Sequence, residues 1–166
     1  MLVLMVVLGV ALLVSLRHGD GSVGTGVVSH VRDGDTIELE GGDVVRLVQI
    51  DTPELREQEC YAVRARALLR SLLPVGTDVR VAEDPGLDHF DRYGRRLAYV
   101  FKGRENVNRT LVADGAGSVW FYDGRRGRYA SQLLGAARRA RATRRGLWGR
   151  CPHTRLDPSA PVDSIR

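Results

Sequence analysis

The chain has 166 residues, within the range of one domain, and its 43% hydrophobic content is enough to build a core, which excludes a wholly disordered protein. Formal net charge is +5 and the isoelectric point is near 9.8; of 25 cationic side chains all are arginine except Lys102. A basic surface of this kind suits a polyanionic partner, and the spacing of the two cysteines, Cys60 and Cys151, is no metal motif.

In chain order, Met1 to Leu16 is an unbroken apolar run. It is shorter than the roughly 20 residues of a full membrane span and suits the apolar region of a signal peptide or a short anchor. No Lys or Arg precedes it and no A-x-A site follows it. Residues 1–23 are therefore read as a signal peptide or membrane anchor plus linker, with any membrane contact made through residues 1–16.

Val27 to Val31 is predicted as a strand, and Asp33-Gly34 as a hairpin or bulge. Thr36 to Leu39 alternates in polarity, and Val44 to Ile50 is a third strand ended by Pro53. Helical spacing of Tyr61, Ala65, Leu68, Leu69 and Leu72 predicts a helix over 58–73, closed by Pro74-Val75-Gly76. A strand begins at Val79, a polar loop covers 83–93, and another strand covers 96–101. Helices follow at 107–114 and 129–143, with 117–122 extended between them and Gly146 as a cap. This α+β order with short, turn-rich strands favours a small barrel. Residues 24–150 are expected to form the domain and residues 151–166, rich in Pro, Asp and Ser, a flexible tail.

Two acidic motifs carry the chemistry. Asp33-Gly34-Asp35-Thr36 lies at a strand junction and Asp51-Thr52-Pro53-Glu54 at a strand end. Carboxylates gathered in one cleft repel and call for a cation. Oxygen ligands without His or Cys favour a hard ion, Ca²⁺ or Mg²⁺. Taken singly, the first motif also reads as a turn and the second as a helix N-cap. Arg46 interrupts an apolar strand, and Arg95 precedes the strand over 96–101. Arginine is the bidentate partner of phosphate, although either side chain alone also suits a surface ion pair. Strand alternation places Arg46 and Asp51 on opposite faces unless the strand bends.

Val31 to Thr36, Val45-Arg46-Leu47, Ile50 to Glu54, Asp91 to Val100, Asn108 to Gly115 and Gly146-Leu147-Trp148, in this order, strongly resemble the staphylococcal nuclease (thermonuclease) family over residues 25 to 149. The resemblance implies a five-stranded OB-fold β-barrel with about three packed helices. It implies a calcium-dependent nuclease that hydrolyses DNA and RNA at the 5′-oxygen and leaves 3′-phosphates. Asp35 and Asp51 would hold Ca²⁺ through carboxylates, Thr52 through its carbonyl, with Asp33 behind them. Glu54 would act on the attacking water, Arg46 and Arg95 on the phosphate, and Tyr93 near the nucleotide.

This sequence departs from the family pattern in two places. The loop Pro85 to Phe90 is acidic and short, and a second pocket tyrosine has no clean match within Val119 to Asp123. His30 and His89 are expected to be surface residues. The alternative is a non-catalytic nucleic-acid-binding OB module. An exported protein, extracellular or at the cell surface, monomeric and without a protein partner, is expected, and export favours a disulfide between Cys60 and Cys151.

Overall fold

The computed structural model describes residues 23–164, so the apolar run over 1–16 and the role expected of it lie outside the described residues. The elements are β1 (Val23–Val31), β2 (Thr36–Leu39), β3 (Val44–Leu47), β4 (Ile50–Asp51), α1 (Ala62–Leu72), β5 (Asp78–Ala82), β6 (Arg96–Lys102), β7 (Glu105–Asn106), α2 (Val107–Ala113), β8 (Ser118–Val119), α3 (Ala130–Ala142) and α4 (Leu147–Arg150). Among the described residues no helix is long and apolar enough to cross a membrane.

The long β1 strand organises the barrel. Its first half pairs antiparallel with β5 (Thr25 opposite Arg80) and its second half with β2 (Val31 opposite Ile37). A register shift between Val28 and His30 coils the strand so that it serves both neighbours. β2 continues to β3, and β5 to β6, both antiparallel. Parallel pairing of β3 with β6, Leu47 opposite Ala98, closes the ring. The result is a closed five-stranded OB barrel with three packed helices. Val28, Ile37, Val45, Leu47, Val81 and Val100 fill its interior. Helices α1, α2 and α3 cover it with Leu69, Leu111 and Leu133, each fully buried.

Two boundaries differ from the sequence reading. The first helix starts at Ala62, not at Gln58, because Gln58 and Tyr61 both have left-handed backbone angles (φ 53° and 75°). Between them, Cys60 is joined to Cys151 as a disulfide and donates its N–H to Ser164 O, which draws this stretch off the helix axis. The third strand stops at Leu47 and resumes as the separate β4, with consequences for the site described below. In the C-terminal stretch, expected as a flexible tail, Val162 and Ser164 are buried, and the other described residues after Cys151 are exposed or partly buried.

The disulfide spans 91 residues of sequence. Closing a loop of that length stabilises by about 4 kcal/mol in the chain-entropy view. The Cys60→Ser/Cys151→Ser double variant is thus expected to unfold at lower urea, with ΔG reduced by about 4 kcal/mol. An unchanged midpoint would show that packing alone holds these segments.

Candidate active site

The site forms where β4 is re-aimed. After Leu47 the chain turns at Val48 and Gln49, and Gln49 takes a left-handed conformation (φ 66°). This break in the pleat brings Arg46 and Asp51 to the same face: Arg46 Nη2 is 2.6 Å from Asp51 Oδ1 and 3.2 Å from Asp35 Oδ2. The other Arg46 nitrogen, Nη1, donates to the carbonyls of Leu47 (3.2 Å) and Ile50 (3.0 Å). Arg46 is only 8% exposed, and Asp35 and Asp51 are each 5% exposed.

Side chains that the sequence reading left without a role hold the turn in place. Asn108, fully buried at the start of α2, donates to Val48 O (2.9 Å) and accepts the N–H of Val100 (3.0 Å). Gln49 donates to Arg125 O and accepts the N–H of Gly127, both at 2.8 Å, tying the turn to the loop after β8. Nothing in local sequence marks a buried Asn or Gln as a turn clamp; only Asn108's position inside the matched segment hinted at a special place. Each buried group left unpaired costs about 1–3 kcal/mol. Asn108→Ala is therefore expected to lose about 3 kcal/mol of stability in urea unfolding. A loss below about 1 kcal/mol would show the turn to be self-supporting.

Close backbone approach completes the acidic side. A Cβ on Gly34 would lie 2.5 Å from Thr52 Oγ1, and one on Gly117 would lie 2.3 Å from Asp51 O. Glycine at both positions lets the 33–35 loop and β8 close on residues 51–52. Asp33 Oδ1 accepts the N–H of Asp35 (3.1 Å), and Asp35 Oδ2 accepts the N–H of Thr52 (3.3 Å). Burial and then Asp35 push the Asp33 carboxyl up to about 6, and the same two causes push Asp51 up to about 7. Burial works against the Arg46 charge, yet Asp35 and Asp51 together raise its pKa above the ordinary value.

A polar relay links this centre to the second arginine. Thr36 Oγ1 donates to Asp35 Oδ1 (3.0 Å) and lies 3.5 Å from Arg95 Nη1. Asp91 holds Arg95 by its backbone N–H (2.9 Å) and by Nε (2.7 Å), leaving the outer guanidinium toward the cleft. Although burial acts the other way, hydrogen bonds from Arg95 and Tyr93 hold the Asp91 carboxyl below its usual range. Arg46, Arg95, Tyr93, Trp120, Tyr122 and Pro161 line a cleft of about 530 Å³. Tyr93 stands on its rim, 68% exposed. Trp120 packs under the Arg46 guanidinium, 5.5 Å from ring centre to Cζ, and meets Tyr122 edge to face. The acidic loop is one wall of this cleft, joined by the Asp88–Arg125 ion pair to the other.

Glu54 lies apart from the hydrogen-bonded centre. It is exposed beyond Pro53, and its N–H donates to Glu59 Oε2 (2.8 Å). Its carboxyl is raised by partial burial and by Asp35. It precedes the first residue of α1 by eight positions, so helix capping does not account for it. His30 and His89 are exposed, and His89 Nδ1 lies 3.4 Å from Glu83 Oε2.

Among the described residues no three acidic, His or Cys side chains converge as a metal cluster. The donors that do converge are carboxylates of Asp35 and Asp51 beside the Thr52 backbone. All are oxygens, and their buried mutual repulsion is offset within the chain by Arg46. That donor chemistry fits a hard cation rather than a soft one.

The closed OB barrel thus carries a buried carboxylate pair with Arg46, and Arg95 beside it, at the edge of one cleft. The chain belongs to the staphylococcal nuclease homologue family, whose model matches residues 44–150. It is similar to an uncharacterized protein of Bacillus anthracis (31% identity, 74% of this chain and 60% of that protein). It is also similar to the SPbeta prophage-derived endonuclease YokF of Bacillus subtilis strain 168 (30%, 71% and 42%) and to the thermonuclease of Staphylococcus hyicus (29%, 73% of each). The first two relatives are longer: the chain spans 60% and 42% of their lengths.

Proposed function

We propose that this chain is a calcium-dependent nuclease that hydrolyses phosphodiester bonds of DNA and RNA at the 5′-oxygen, leaving 3′-phosphates. The observation that carries this reading is the meeting of Asp35, Asp51 and Arg46 in one buried cluster at the edge of a cleft lined by a second arginine. Membership of the nuclease family and relatives named endonuclease and thermonuclease support it.

Asp35, Asp51 and the Thr52 carbonyl would hold Ca²⁺, with Asp33 bracing Asp35 from behind. When bound, such an ion would act as a Lewis acid for the phosphoryl oxygen and would lower the pKa of a bound water. Arg46 serves two anions. It is the counter-charge of the two carboxylates, and its fork would also face the scissile phosphate. Arg95, oriented by Asp91, offers its outer nitrogens to the same phosphate. Both arginines gain most as charge accumulates on the phosphorane-like transition state. Glu54 takes the proton of the attacking water, its carboxyl raised above the ordinary value by partial burial and by Asp35. The new P–O bond forms on the side opposite the 5′-oxygen as the P–O5′ bond breaks, and the 5′-oxygen leaves as a hydroxyl with a proton taken from solvent. Contacts made to the phosphate rather than to base edges give a broad substrate range. The Cys60–Cys151 disulfide fits an oxidising compartment, so we place the enzyme outside the cell or on its surface, with residues 1–16 as signal or anchor.

Digestion of an end-labelled oligonucleotide in Ca²⁺ tests the reading. Fragments ending in 3′-phosphate are expected. Fragments with 5′-phosphate would reverse the cleavage side, and a shifted but uncut oligonucleotide would identify the binding-only barrel.

A further inference from the structure

The C-terminal stretch contacts the acidic centre directly. It leaves the disulfide at Cys151, and Pro158 O accepts the N–H of Phe121 (2.7 Å) beside the cleft. Pro161 then forms part of the cleft wall. The backbone N–H of Val162 donates to Asp51 Oδ2 at 2.9 Å, a buried bond between residues 111 apart in sequence. The stretch ends by pairing with Cys60: its N–H donates to Ser164 O (3.1 Å), and Ser164 Oγ donates to Cys60 O (2.9 Å). Val162 packs its side chain into a small cluster with Leu147, Trp148, Tyr61 and the disulfide. The strap is therefore pinned on both sides of Val162, which sets the position of that one amide.

Asp51 sits at the end of a two-residue strand, where a carboxylate held by one oxygen turns freely. Here both oxygens are held, Oδ1 by Arg46 and Oδ2 by Val162. Each carboxylate oxygen has two acceptor sites, so neither bond excludes a cation. A backbone donor behind a metal-binding carboxylate orients it in the manner of the outer partners of metal ligands.

Building on the nuclease reading, we propose that the strap over residues 156–164 is a working part of the site, and that the Val162 N–H is a positioning group for Asp51 in cation binding. The strap is neither a passive tail nor a plug over the carboxylates.

The test uses the full chain and two substitutions at Val162, followed by calorimetric titration with Ca²⁺ and by thermal melting. Val162→Pro removes the N–H. Val162→Ala keeps it and loses only side-chain packing. Val162→Pro is expected to bind Ca²⁺ about 10- to 100-fold more weakly, the usual effect of losing an outer partner of a ligand. Val162→Ala is expected to melt lower while binding Ca²⁺ as the parent does. If Val162→Pro fails to fold, a chain ending at Pro161 removes the same donor and is expected to show the same loss. Equal weakening by both substitutions would reduce the strap to a structural brace, and affinity at or above the parent's in Val162→Pro would make it idle or inhibitory; each overturns the proposal. Failure of the parent chain to bind Ca²⁺ and to cut DNA would overturn the nuclease reading and this one with it, whereas an active parent with an unaffected Val162→Pro overturns this one alone.

Discussion

Arg46→Lys is expected to cut DNA about 10²- to 10³-fold more slowly in single-turnover measurements, despite keeping the positive charge. The guanidinium reaches four oxygens from two nitrogens: two carbonyls through Nη1 and two carboxylates through Nη2. A lysine ammonium is a point donor and cannot span that fork or present two parallel donors to a phosphate. It also leaves the Asp35–Asp51 pair with weaker compensation, so the apparent Ca²⁺ affinity is expected to change together with the rate. Arg95→Lys is expected to be similarly slow, with a smaller effect on Ca²⁺ affinity, because Arg95 reaches Asp35 only through Thr36. Near-normal turnover in both variants would remove the arginines from the mechanism.

The second large effect is expected at Glu54. Glu54→Gln keeps size and polarity but removes the base, and general-base assistance is worth about 10²- to 10⁴-fold in rate. The loss should fall on the single-turnover rate at saturating Ca²⁺, with DNA affinity little changed. A purely structural role predicts otherwise. Glu54 is outside α1 and exposed, so its replacement should scarcely move the melting temperature. A melting temperature that holds or rises beside a large rate loss fits a carboxylate placed near Asp35 for chemistry rather than for folding. Normal turnover in Glu54→Gln would leave water activation to the cation alone.

The parts of this molecule that were legible in sequence are those governed by local pattern. Alternation in Thr36–Leu39 reappears as a strand, and the helices expected over 58–73 and 129–143 reappear as Ala62–Leu72 and Ala130–Ala142. The five-stranded barrel corresponds to what the family resemblance implied, and the structure brings Asp35, Arg46 and Asp51 together, with the Thr52 N–H on Asp35. What could not be read depends on long-range contacts. A left-handed Gln49 is invisible in an apolar run, since its side chain is satisfied only by Arg125 and Gly127, far along the chain. The early part of the first helix has helical spacing, yet Cys60 is held elsewhere by the disulfide and by Ser164. Trp120 and Tyr122, ambiguous in alignment, become cleft residues only through pairing of β8 with β4. The strap escapes sequence reading for a simpler reason: its contact to Asp51 is made by a backbone amide, which any residue but proline supplies.

In the proposed reaction the paired carboxylates and arginines work with a cation to cut nucleic acid. Cleavage of double-stranded DNA by the purified chain, measured first with Ca²⁺ and then with excess chelator, tests it most directly. Cutting is expected in Ca²⁺, less or none in Mg²⁺ because of its stricter octahedral geometry, and none in chelator until Ca²⁺ is restored. Undiminished cutting in chelator would contradict it.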